Sequence, residues 1–299
     1  MPNVEVVAVE QEMAGSAGEI TYLGVVGGLP YADLSAAWAA AGLDPDLLPT
    51  PPTPLNALKR AMQGVKRSRR VLLHPLGGGI KGFALVTETA DGRALDYDLP
   101  GIVRAEVKTD ESSGIRSTKC VVEPAGHPIT QQIHDEYGKG LNTVANQMIG
   151  AWIWGALASR CHAVSLREHG GVYFIPPDRM KEWRTYCDVI TSVSEVRVYH
   201  VPAMRSDDAV DAILAALNAE AEESIKRMAA EVASTDDDAL GGRALVTRGR
   251  KSKDIRTKVR HYEALFSRAL PELQGQLDEL DADIATAVLL SAADEDEDD

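Results

Sequence analysis

Cysteine is scarce, with three in 299 residues, and aromatic side chains make up only 5% of the chain. Cys120, Cys161 and Cys187 form no CxxC pair and are odd in number, which excludes a disulfide framework and leads us to expect a reducing, cytoplasmic setting. Long apolar runs are missing as well. The most apolar segment, Val144 to Ser159, contains Asn146 and Gln147. It falls short of the roughly 18 to 20 uncharged residues a membrane span needs, so it reads as a buried core helix and no membrane association is expected. The opening MPNVEVVAVEQEM carries acidic residues and no basic one, unlike a secretory signal. Also absent are GxxxxGK[ST], GxSxG, HExxH and an EF-hand loop, which points away from a P-loop ATPase, an α/β-hydrolase and a zincin. His127, His134, His162 and His169, with Cys161 and Cys187, match no common ligand spacing, so neither metal nor cofactor is expected.

What is present in quantity is apolar residues, at 44%, and charge of one sign, at a net −14. The first allows a substantial core. The second argues against wholesale coating of nucleic acid, but it is unevenly spread. Asp294 to Asp299 are all acidic, and Asp207 to Asp238 holds ten acidic residues against two basic ones. Lys59, Arg60, Lys66, Arg67, Arg69 and Arg70 form a basic cluster with no acid inside it. Arg248, Arg250, Lys251, Lys253, Arg256, Lys258 and Arg260 form a second, interrupted by Asp254.

Along the chain, residues 1–17 read as a loose arm and Ile20–Val26 as a strand. Pro30–Ala41 reads as a helix closed by Gly42. Five prolines between Asp44 and Pro54 predict an extended connector. Thr53 then caps a helix whose stripe is Leu55, Leu58, Met62 and Val65. From Val71 to Glu123 the period drops to two. Strands are expected at 71–76, 80–88, 94–99, 102–109 and 118–123, joined by short Gly-containing turns as an antiparallel meander. Thr130–Arg160 reads as one long or broken helix. A hairpin, a helix at Pro177–Val193 and a strand at Glu195–Val201 follow.

After Ala203, apolar residues from Val210 to Val232 and from Ile255 to Val288 recur every three or four positions. They predict an antiparallel, coiled-coil-like helical hairpin linked through Thr235–Arg250, with Pro271 starting a new segment or kinking the second arm. The expected class is therefore α+β, with strand-rich and helix-rich runs segregated. It divides into an arm (1–17), an α+β body (18–203), a helical hairpin (204–293) and a disordered acidic tail (294–299).

Chemistry-bearing candidates are few. Asp98 and Glu106-Val107-Lys108 follow the order of many Mg²⁺-dependent nucleases, in which two carboxylates hold the ion and a lysine steadies water or phosphate. Alternation with Val103, Ala105 and Val107 also makes Glu106 and Lys108 a plain solvated strand face. Gly77-Gly78-Gly79-Ile80-Lys81 lacks a following helix to supply aligned N–H groups, so a hairpin turn is expected there and not a phosphate cradle. Lys59, Arg60, Lys66, Arg67, Arg69 and Arg70 make a face able to neutralise phosphate without reading bases. The second basic cluster faces a strongly acidic partner helix with which it can pair.

The acidic end resembles, in composition, the C-terminal tails of single-strand-binding replication proteins. Over its six residues the resemblance implies a tail that competes with nucleic acid and recruits partners, although a terminal aromatic is missing. Together these features lead us to expect a non-enzymatic nucleic-acid-associated accessory protein, binding single- or double-stranded nucleic acid. The alternatives are an adaptor that self-associates or docks a protein through 204–293, and a Mg²⁺-dependent nuclease.

Overall fold

The computed structural model describes residues 16–25, 27–68, 71–78, 80–87, 89–91, 94–96, 102–110, 117–124, 126, 129–168, 171–233 and 241–297. It is mixed α and β with antiparallel sheets and a helical C-terminal region, as the segregated pattern requires. The chain forms two compact units, a meander unit of residues 24–157 and 185–197 and a terminal unit of the remainder.

In the meander unit, Leu29–Pro30 (β2) precedes helix α1 (Tyr31–Ala40), and the proline connector follows. Two indoles fasten that connector. Trp38 Nε1 donates to the Asp44 carbonyl at 2.8 Å, and Trp152 Nε1 to that of Leu47 at 2.6 Å. Helix α2 (Pro54–Ser68) leads into β3 (Val71–Pro75) and β4 (Gly82–Thr87). A short ribbon of β5 (Thr89–Asp91) and β6 (Ala94–Asp96) is followed by β7 (Ile102–Asp110) and β8 (Ser117–Glu123). The sheet order is β3-β4-β7-β8, antiparallel throughout. The strand expected at 94–99 is not in this sheet, because its described part pairs only with β5.

Helix α3 (Thr130–Asn142), with α2, covers one face of the sheet. Leu58, Met62 and Val65 meet Leu85, Val103 and Ala105 there, as the two periodicities dictate. The expected long helix is broken. After α3, Thr143–Val144 (β9) pairs with β2, and Asn146–Trp152 (α4) runs on into a π-type turn at Ile153–Ala158.

The terminal unit contains β1 (Ser16–Gly24), β10 (Val164–Ser165), β11 (Val172–Ile175) and β12 (Arg197–Met204), in the order β10-β11-β1-β12. Helix α5 (Met180–Ser192) starts in this unit and ends in the other. Ser206 caps α6 (Asp207–Val232), its hydroxyl accepting from Ala209 N at 3.2 Å. Helices α7 (Gly242–Phe266) and α8 (Pro271–Glu297) follow.

The expected helical pair is there, and Pro271 makes its second arm two helices. Ile225 and Met228 of α6, Val259 of α7, and Leu273, Leu277 and Leu280 of α8 form one core. The link expected over Thr235–Arg250 is shorter, since α7 is helical from Gly242. The acidic run expected to be disordered continues α8 as far as Glu297, carried by the strong helix formers of Ala282–Ala293. The body–hairpin boundary expected at 203/204 is crossed by a second core. Val210, Leu214 and Leu217 of α6 and Tyr262 and Phe266 of α7 pack on Ala17, Val164 and Phe174 of the sheet.

Among the described residues, no helix is long and apolar enough to cross a membrane.

Candidate functional site

Helix α2 begins at Pro54, and Thr53 Oγ1 accepts from Asn56 N at 3.3 Å. With Ala57, Leu58, Ala61, Met62 and Val65 buried, Lys59 and Lys66, seven residues apart, emerge exposed on one side. Arg60 does not share their freedom. Its Nη2 donates to the carbonyls of Gly140 and, at 2.8 Å, Thr143, closing the C-terminal end of α3, where carbonyls lack partners within the helix. Burial lowers the pKa of its guanidinium. The side chain of Arg67 and residues Arg69 and Arg70 lie outside the described structure, so the six-cation face expected from the sequence contains two exposed cations and one structural arginine among the described residues.

Glu106 and Lys108 share the open face of β7 and form an ion pair of 2.6 Å. Val121 and Lys119 stand opposite them on β8, so no carboxylate of β8 stands directly opposite Glu106. Asp98 lies outside the described residues. Among the described residues, no group of three or more His, Cys, Asp or Glu could hold a metal ion.

The second basic cluster is divided by the geometry of α7. Leu245, Ser252, Val259, Tyr262 and Phe266 are buried. Three cations beside that stripe are paired, whereas Lys251, next to Ser252, is exposed and joins no ion pair among the described residues. Arg248 Nε lies 2.5 Å from Glu231 of α6, and Lys258 Nζ 2.6 Å from Glu220. Arg256 bridges Asp278 and Asp281 of α8, at 2.8 Å each. Those hydrogen bonds outweigh desolvation and raise the Arg256 pKa, while burial pulls that of Lys258 down against the pull of Glu220.

At 100° per residue, Arg243, Arg250, Lys253 and Arg260 fall on the opposite side of the helix. All four are exposed, and none joins an ion pair among the described residues. Asp254 is the acid nearest this face in sequence. Arg243 escaped the sequence reading because it stands apart from the run. Its spacing of seven, ten and seventeen to the other three is the helical signal that gathers them on one face.

Two polar clusters of the terminal unit were also missed. Glu19, fully buried on β1, accepts from Arg184 Nε and Nη2 at 3.0 and 2.8 Å and lies 3.0 Å from His200 Nδ1. Burial pushes its pKa up, but the His200 and Arg184 hydrogen bonds win and hold it below the usual carboxylate value. The available signal was period two, which puts Glu19 and Thr21 on one side of a strand. Thr21 Oγ1 accepts from Trp183 Nε1 at 3.3 Å.

His162, with φ +53°, stacks on His261 at 5.1 Å, and Tyr262 Oη donates to its carbonyl at 2.8 Å. Asp178 Oδ1 lies 3.2 Å from His261 Nε2.

A family model matches residues 21–295, a span taking in both units. The chain belongs to a family of unknown function (DUF6744). No curated protein matches it, and no solved structure does.

Proposed function

We propose that this member of the family is a non-enzymatic nucleic-acid-associated accessory protein that takes up phosphate backbone on the outward face of α7. One observation carries the reading. On the side of α7 facing α6 and α8, Arg248, Arg256 and Lys258 are neutralised by carboxylates, and Arg243, Arg250, Lys253 and Arg260 are left outward without a partner among the described residues.

An outward row of cations in a chain of net charge −14 is what a phosphate chain can neutralise. Such a row reads no base edges, so it implies little sequence preference. The acidic run supplies a competitor. Ile284 of α8 lies beside Gly249 of α7, and α8 continues from there to Glu297. Lys59 and Lys66 on α2 offer a separate, smaller patch.

Fluorescence anisotropy with labelled single- and double-stranded oligonucleotides over a salt series tests this. Arg250→Glu/Lys253→Glu/Arg260→Glu should weaken binding to all sequences and flatten the salt dependence, each lost phosphate contact being worth roughly 0.9 in slope on a duplex. Removing Asp294–Asp299 should tighten binding, most at low salt. Failure of the wild-type chain and the tail deletion to bind at low salt would reject the reading.

A further inference from the structure

The acids of α8 also divide by side. Asp278 and Asp281 turn to α7 and pair with Arg256. Glu279 and Asp283 are exposed along the opposite edge of α8, where they and Glu222 of α6 rim a groove of about 380 Å³ floored by Ile225, Ala229 and Leu280. Lys226 is the cation on its rim. Beyond Glu222 a second hollow continues the groove to Glu272. None of these four acids joins an ion pair among the described residues.

From Glu272 to Asp283 the acidic edge runs about 16 Å along α8, and from Arg250 to Arg260 the outward face of α7 runs about 15 Å. The acidic edge matches the Arg250–Arg260 part of the row in length and is opposite to it in charge, while Arg243 extends beyond it, and an apolar floor suits the aliphatic stems of arginine and lysine. We propose that this groove receives the outward basic face of α7 from a second copy of the chain. The interface is heterologous, so each copy that docks retains one open groove or one open face. The inference does not rest on nucleic-acid binding. If both hold, a phosphate chain and a second copy compete for the same cations.

The test is sedimentation equilibrium of the full-length protein freed of nucleic acid. At low salt the average mass should rise above 32.1 kDa with concentration, and it should return to that value when salt screens the contact. Glu222→Lys/Glu279→Lys/Asp283→Lys should stay at 32.1 kDa, as should Arg250→Glu/Lys253→Glu/Arg260→Glu. An equimolar mixture of the two should associate, because each contributes a face complementary to the other. Both variants remain net acidic, so general attraction cannot produce that result.

Circular dichroism checks their folding. The milder Glu222→Gln/Glu279→Gln/Asp283→Gln serves if the lysine variant misfolds, and it should lower the average mass at low salt. A wild-type mass of 32.1 kDa at every concentration at low salt overturns the proposal, as does a mixture no heavier than its components or a glutamine variant that associates like wild type. Failure of the wild-type chain to bind oligonucleotides at low salt, with these masses behaving as expected, would count against the nucleic-acid reading alone.

Discussion

Glu19 and Arg184, 165 residues apart in the chain, meet through two hydrogen bonds from one guanidinium to a single carboxylate oxygen. Arg184 is half exposed and Glu19 is not, so the glutamate loses its water and depends on the arginine and His200 to replace it. Glu19→Gln should lower the unfolding free energy at neutral pH by about 2 kcal/mol, the scale of hydrogen bonds to a charged group. Because the folded pKa is depressed, the Glu19 contribution is complete above the ordinary value of 4.5 and is lost as pH falls through the folded one. Urea titrations of wild type and variant at pH 7 and at a series of pH values below 4.5 should therefore converge toward low pH. Parallel stabilities at every pH would contradict this.

His162 should give a dependence of the same sign, set at higher pH. Burial, and then the charges of His261, Arg179 and Lys258, lower its pKa, while Asp178 raises it. The unfolded chain thus takes the proton first as pH falls through 6.5, and folding is weakened below that point by at most about 1.4 kcal/mol per pH unit for one proton. His162→Asn, which tolerates the left-handed backbone, should flatten the stability profile between pH 7 and pH 5. An unchanged slope would place the titration elsewhere.

Arg60 separates structural from surface cations on one helix. Arg60→Ala removes donors from the carbonyls of Gly140 and Thr143 and should cost about 1 to 2 kcal/mol. Lys59→Ala and Lys66→Ala, at exposed positions, should stay within about 0.5 kcal/mol of wild type. Thermal melts of the three single variants provide the comparison, and equal melting temperatures would remove the cap from the account.

Ser267 ends α7 in the left-handed region, with φ 55° and ψ 39°. Glycine adopts that conformation without a Cβ penalty, so Ser267→Gly should stabilise the chain by about 1 kcal/mol. A lower melting temperature would show that the hydroxyl contributes more than the strain costs.

Elements with a strong local period were legible in the sequence. Val210 to Val232 follow the helical period, and Ser206 caps the helix they form. Val103 and Ala105 alternate with Arg104 and Glu106 as a one-sided strand must. Pro271 carried its own message, since a residue without an N–H belongs at the start of a helix.

Partners in space were not legible. Nothing near Ile20 announces Phe174 as its neighbour on β11, and nothing near Leu217 announces Val164 and Phe174. Such contacts are chosen by the packing of whole elements. The basic run of α7 misled for the same reason. Composition counts charges, whereas 100° steps decide which of Arg248 and Arg250 meets a carboxylate.

The position of β1 also sets a timetable for synthesis. Glu19 leaves the ribosome 165 residues before Arg184 and 181 before His200. At 5 to 20 residues per second, the first of those intervals is on the order of ten to thirty seconds. Until β11 is made, near the end of that interval, the strand has neither of its sheet neighbours and exposes two unpaired edges to the other nascent chains of a polysome. Most of the meander unit emerges within the same interval. The terminal unit therefore holds a strand made before the meander unit and closes only after most of that unit has been translated.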